Sequence, residues 1–229
     1  MPELETWPIA REEQANSISH IIGLAAAGAA LFVWHPLSNH AWDSRPLFGV
    51  YLYALSLGAL YLFSAASHGC PQGEYKQVLT RLDEGAIFIF VAGTYSAFSL
   101  GSPRPPDWFA LGFVWCVAVA GAVLKVAGKL SDRRVAVACY LLLGWSAFFA
   151  VRPLLRNASH ETVVWLAVGC LCYTTGVYFY MRSAHARFSH LIWHLFVMGG
   201  TGCHLASILC YLAPGAPVTT TLMDIVRAV

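Results

Sequence analysis

The chain of 229 residues is 58% hydrophobic and 11% charged, against roughly 25% charged in a soluble domain. That is the composition of a polytopic membrane protein, and the length suits one compact helical body without a separate catalytic domain. A formal charge of +2, with 14 Lys and Arg scattered through short connections, makes no nucleic-acid footprint. Most of the 7 cysteines fall inside apolar runs, and none joins a histidine in a zinc-finger spacing. The acidic opening MPELETWPIAREEQ has no basic stretch before the first apolar run, so no cleaved signal peptide is expected.

Taken in order, residues 1–10 read as a tail and 1–17 as a polar lead-in, ending in Glu12, Glu13, Asn16 and Ser17. A first apolar run covers about 18–34, with Gly23, Ala27 and Gly28 offering a small-residue surface to neighbours. HPLSNHAWDSRP, 35–46, is expected as a loop, and a second span follows over about 47–68. CPQGEYKQVLTR, 69–81, is too polar to cross a bilayer and reads as a connection or an interfacial helix. Asp83 and Glu84 head the third span, IFIFVAGTYSAFSL, which GSPRPPD breaks. Further spans are expected over about 108–124, 135–151, 162–181 and 188–212, with a tail at 213–229. The reading is an all-α antiparallel bundle of seven transmembrane helices over 18–212, because hydrocarbon thickness sets spans of about 20 residues and short connections join sequence neighbours.

Basic residues set the orientation. An N-terminus in the cytoplasm puts Arg11, Lys76, Arg81, Lys125, Lys129, Arg133, Arg134, Arg182 and Arg187 inside, and leaves Arg45, Arg104, Arg152, Arg156 and Arg227 outside. The excess favours N-in, with a non-cytoplasmic C-terminal tail. In that frame His20, His68, Asp83, His190 and His194 all fall near the inner edge, although the topology uses none of them.

His190 and His194 are one turn apart on one helical face. Such a pair offers two nitrogens to a zinc ion, or two packing histidines bonded to backbone and hydroxyls. Joined by His68, with water in fourth place, it is the ligand set of a catalytic rather than a closed zinc site. Asp83 could ligate directly or, as preferred here, orient that water and act as general base. Ser64, one turn before His68, could bond the water, a carbonyl oxygen or a ligand ring, or its own i−4 carbonyl. Glu13, Asn16 and His20 form a second polar stripe, open to a structural or a chemical role. His204, about 15 Å beyond His194 along the helix, is too far to share the metal and reads as packing or cavity-lining. His35, His40, His160 and His185 are expected to face solvent. Glu84 and Lys76 are expected at the cytoplasmic mouth, and Trp145 and Trp193 in core or lipid contacts.

The strings EEQANSISHIIG at 12–23, SAASH at 64–68, RLDEGAIFIFVAGTY at 81–95, LLLGW at 141–145, and YTTGVYFY followed by FSHLIWHLFVMGGTGCH to His204 together resemble the hemolysin III family. That family is related to the progestin and adiponectin Q receptors and, more distantly, to the alkaline ceramidases. The resemblance covers nearly the whole chain and implies seven helices, an inner N-terminus and a zinc held by His68, His190 and His194 near the cytoplasmic face. It also implies a water-side role for Asp83 and Ser64, as in related hydrolases of ceramide-like lipids. The chain departs from the pattern at Ser67, Glu84 and Ser96–Ala97, none of them a proposed zinc ligand.

Three functions follow as expectations. The first is a zinc-dependent intramembrane hydrolase of a lipid amide or ester, in a bacterial inner membrane. The second is a receptor-like signalling protein that zinc only stabilises, and the third is a hemolysin-type pore or channel. The pore would need a polar path across the bilayer, whereas the polar side chains concentrate at one face.

Overall fold

A computed structural model describes residues 3–37, 44–151 and 154–212. Seven α-helices are present among them: α1 Glu3–Leu37, α2 Ser44–Gly69, α3 Glu74–Gly101, α4 Trp108–Val126, α5 Arg133–Val151, α6 His160–Arg182 and α7 Ser189–Leu212. A short 3₁₀ turn, Leu154–Asn157, precedes α6. The tail 213–229 with Arg227, the stretch 38–43 with His40, and Arg152 lie outside the described residues.

Local chemistry fixes the helix limits. Pro105 and Pro106 cannot continue α3, and the Asp107 carboxylate then caps α4 by accepting from the Ala110 amide. Gly128, at φ 72°, takes the left-handed conformation that ends α4. Asp132 accepts from the Val135 amide at 2.9 Å, and Ser159 from the Thr162 amide at 3.2 Å, starting α5 and α6.

Two expectations need correction. Residues 3–10 are the first turns of α1 rather than a tail; no glycine interrupts the sequence before Gly23 and helix formers predominate. The polar stretch 69–81 is no separate element from Glu74 onward, because α3 runs unbroken through it. At 28 residues α3 is about 42 Å long, so its polar first turns can project beyond a hydrocarbon layer of about 30 Å.

α3 is the central helix, packing on α2, α4, α5 and α7, while α1 lies against α2 and α7. The tightest seam joins α2 to α3, where a Cβ on Gly93 would strike the Ser56 hydroxyl and come within 2.9 Å of the Leu52 carbonyl. Tyr53, Leu57, Phe88, Phe90 and Phe98 pack in the core. Leu55, Phe109, Phe113, Leu142 and Leu171 instead point outward, and α2, α3, α4, α6 and α7 are each long and apolar enough to cross a membrane. A bundle with a greasy exterior of that extent is a membrane protein, since water-facing surfaces rarely carry such patches.

Candidate metal centre

One end of the bundle gathers what the sequence spreads over more than a hundred residues. His68 ends α2, and His190 and His194 occupy successive turns at the start of α7. One nitrogen from each ring lies within 4.8 Å of the others, and the ring centroids are 4.6 to 5.0 Å apart. The entry to α7 is locally strained and firmly tied. Phe188 is held at φ 56°, a left-handed conformation costly for a bulky residue. Next to it, the Ser189 hydroxyl donates to the Phe179 carbonyl of α6 at 2.9 Å.

α1 orients two of the rings. His194 Nδ1 lies 3.2 Å from the Asn16 carbonyl and 3.0 Å from Ser19 Oγ, whose own proton goes to that carbonyl. A carbonyl only accepts, so Nδ1 carries the proton and Nε2 keeps its lone pair. His68 Nδ1 is 3.1 Å from Glu13 Oε2, which by the same reasoning frees His68 Nε2. Histidines that ligate metals are typically held this way, one ring nitrogen bound to a carbonyl or carboxylate and the other left for the ion. The donor set therefore fits a divalent metal of the zinc class. Partial burial raises the Glu13 carboxyl, but the hydrogen bonds and charges of His68 and Lys76 outweigh it and bring its pKa down to about 2. A Glu13→Gln variant is expected to bind zinc ten- to a hundredfold more weakly, the usual cost of losing such a supporting group, as read by chelator competition on folded protein.

His20 is stacked on His194, centroids 3.8 Å apart and planes 14° from parallel, so part of the α1 stripe packs against a ring of the histidine group. Asp83 has Ser67 Oγ at 3.4 Å and interacts with the Ser64 hydroxyl. Among the described residues the three histidines form a group without a carboxylate at ligand spacing. All six of His68, His190, His194, Asp83, Ser64 and Ser67 line one cavity of about 240 Å³. It continues between Phe90, Phe98, Val177 and Leu166, an apolar channel into the bundle. Trp193 packs against the core as expected, and both it and Trp145 also line the cavity. A helix has neighbours on several sides, and apolar periodicity alone does not tell a cavity wall from a packed seam. His160 and His185 are exposed as expected.

A family model described as "Haemolysin-III related" matches residues 9–205. The chain belongs to that family. This haemolysin-III-related protein is 31% identical over 207 residues to "Hemolysin-3" of Bacillus cereus, covering 90% of this chain and 94% of the relative. It is 34% identical over 207 residues to the "Hemolysin-3 homolog" of Bacillus subtilis (strain 168), with 88% and 94% covered. Human "Monocyte to macrophage differentiation factor" is 27% identical over 213 residues, with 90% and 86% covered. The family link thus reaches from bacterial hemolysin-3 proteins to mammalian relatives along most of each chain.

The positions where this haemolysin-III-related protein departs from the expected pattern have partners. Ser67 bonds Asp83, and Ser96 Oγ accepts from Trp115 Nε1 at 2.9 Å. Glu84 pairs with buried Lys125 at 2.8 Å and accepts from the Tyr180 hydroxyl at 2.9 Å, joining α3, α4 and α6 beside the site. Sequence reading used Lys125 only to set the orientation, and it passed over Ser19. A lysine within an apolar helix was a usable signal, because such a charge requires a partner.

Proposed function

We propose that this protein is a zinc-dependent intramembrane hydrolase of a lipid amide or ester bond. The observation that carries the reading is a three-histidine centre, with Asp83 and two serines beside it, at the head of a deep apolar cavity. Three neutral imidazoles with an open fourth position are a catalytic rather than a closed arrangement. A zinc ion bound there would polarise a carbonyl oxygen and lower the pKa of water. His68, His190 and His194 would hold that ion, with Glu13 and the Asn16 carbonyl fixing two of the rings. Asp83 accepts the proton of the attacking water and returns it to the leaving amine or alcohol. Ser64 and Ser67 aim its carboxylate. The apolar walls take the acyl chain and exclude bulk water.

In this reading all seven helices span the membrane antiparallel over 18–212, with 1–17 in the cytoplasm and 213–229 on the far side. Lys76, Lys125 and Arg133 lie at the same end as the histidines, which supports a cytoplasmic site. The host membrane is then the bacterial inner membrane, as the two Bacillus relatives suggest. A receptor-like role in which the metal only ties helices together has one observation in its favour, the contacts from α1 to ligands on α2 and α7.

Purified protein in lipid nanodiscs is expected to contain about one zinc per chain and to cleave a lipid from a panel of N-acyl amides and acyl esters. Chelation should stop cleavage and zinc restore it. One tightly held zinc with no cleavage across the panel would favour the receptor-like role; no stoichiometric metal would remove both.

A further inference from the structure

The turn that opens α3 faces outward except at one residue. From 71 to 78 every residue is exposed apart from Lys76, whose side chain is 14% accessible and lines the cavity. Two local rules are broken there. Lysine is among the residues least often buried, and a cation in the first turn of a helix meets the positive end of the helix dipole. The stability of α3 therefore does not account for Lys76.

What holds the lysine is a carboxylate from another helix. Its ammonium donates to Glu13 Oε2 of α1, and the same oxygen is 3.1 Å from His68 Nδ1 at the end of α2. α1 packs mainly on α2 and α7, so this contact carries α3 across to a ring that α1 supports. Glu13 is 30% exposed, too wet for the ion pair to add much stability of its own. What the pair fixes is position, because the ammonium pins the oxygen that the ring meets. Lys76 also precedes Asp83 by seven residues, which puts the two on one face of α3 about 10 Å apart along its axis.

We infer that Lys76 is a positioning residue for the metal centre: acting through Glu13, it holds the His68 ring toward an ion at the three histidines and ties that ion to the helix that carries Asp83. The inference rests on the proposed function only for the ion. Direct charge works the other way, since a nearby ammonium repels a divalent cation. Any favourable effect of Lys76 on the metal has to pass through Glu13.

The test is zinc affinity and needs no turnover. Chelator competition on folded protein in nanodiscs compares wild type with Lys76→Met, Lys76→Arg, Glu13→Gln and the double variant Lys76→Met, Glu13→Gln. Lys76→Met is expected to weaken zinc about tenfold, the lower end of the usual loss for a supporting group because Glu13 itself remains. Lys76→Arg should stay within about twofold of wild type, because bonding one carboxylate oxygen asks only for a cation of similar reach. The double variant should bind within about twofold of Glu13→Gln alone, because a residue that works through Glu13 then has nothing to act on. Unchanged or tighter zinc in Lys76→Met would overturn the role, as would losses that add in the double variant. A lower unfolding temperature in zinc-free Lys76→Met, with zinc affinity intact, would reduce Lys76 to a stabilising tie. Wild type that holds no zinc would remove the metal centre and this role together, whereas equal zinc affinity in wild type and Lys76→Met removes the role alone. Coupling found in protein that cleaves no lipid would uphold Lys76 and count against the hydrolase.

Discussion

Replacing His194 with alanine is expected to take the zinc content from about one per chain to none that survives purification, and lipid cleavage with it. His194 is 1% exposed and is the most constrained of the three clustered rings, with Asn16 and Ser19 at Nδ1 and His20 across its face. Structural zinc binding is worth roughly 10–16 kcal/mol over four ligands, so one imidazole accounts for about 3 kcal/mol, at least a hundredfold in affinity. The His20 stack and the Ser19 hydroxyl would also lose their partner, so thermal stability should fall along with metal content. His190→Ala should remove the metal with a smaller fall in stability, because its ring shows no comparable hold from α1. His185→Ala, at an exposed position outside the cavity, serves as the control and should retain both. Retention of stoichiometric zinc by His194→Ala, shown by elemental analysis, would mean that the three histidines are packing residues.

The sequence revealed different parts of this arrangement for different physical reasons. α4 to α7 were legible to within two residues or so, because their apolar runs are bounded by the connections in which Asp107, Gly128, Asp132 and Ser159 mark the helix ends. The histidine centre was legible because an i, i+4 pair survives any packing, and because placing Lys and Arg brings His68 to the same level. The part played by α1 was only half legible. Glu13 stood out as a polar stripe residue, but Asn16 holds His194 through its backbone carbonyl, which every residue type possesses. The close fit of α6 on α7, where the His204 ring lies over Gly169 and the Tyr173 ring over Gly200, was hidden for a related reason. Gly169 and Gly200 look like ordinary small residues of close-packed membrane helices until the opposing rings are seen to occupy the space they leave. Side-chain pattern points to the clustered histidines, whereas it says little of the backbone and the empty volume that position them.

Asp83→Asn should separate metal binding from chemistry. Asparagine keeps the volume and can still accept from Ser64 or Ser67, so the bundle and the zinc content should stay near those of wild type. It cannot take a proton from water, and loss of a positioned general base typically costs 10²–10⁴-fold, so cleavage of whichever lipid the wild type turns over should fall by about that factor. Lipid binding, followed by intrinsic tryptophan fluorescence to which Trp145 and Trp193 in the cavity wall contribute, should change little, which puts the defect in the rate of the chemical step. Ser64→Ala and Ser67→Ala remove only the groups that aim the carboxylate and should produce smaller losses, with Ser64 at 1% exposure the costlier of the two. If Asp83→Asn instead lost its zinc, the carboxylate would be a direct ligand and the fourth position closed, and the metal would then be better explained as a tie between helices. If it kept both its zinc and its full rate, the water would have to be activated by some group other than Asp83, and the proposed mechanism would fail although the metal centre stood.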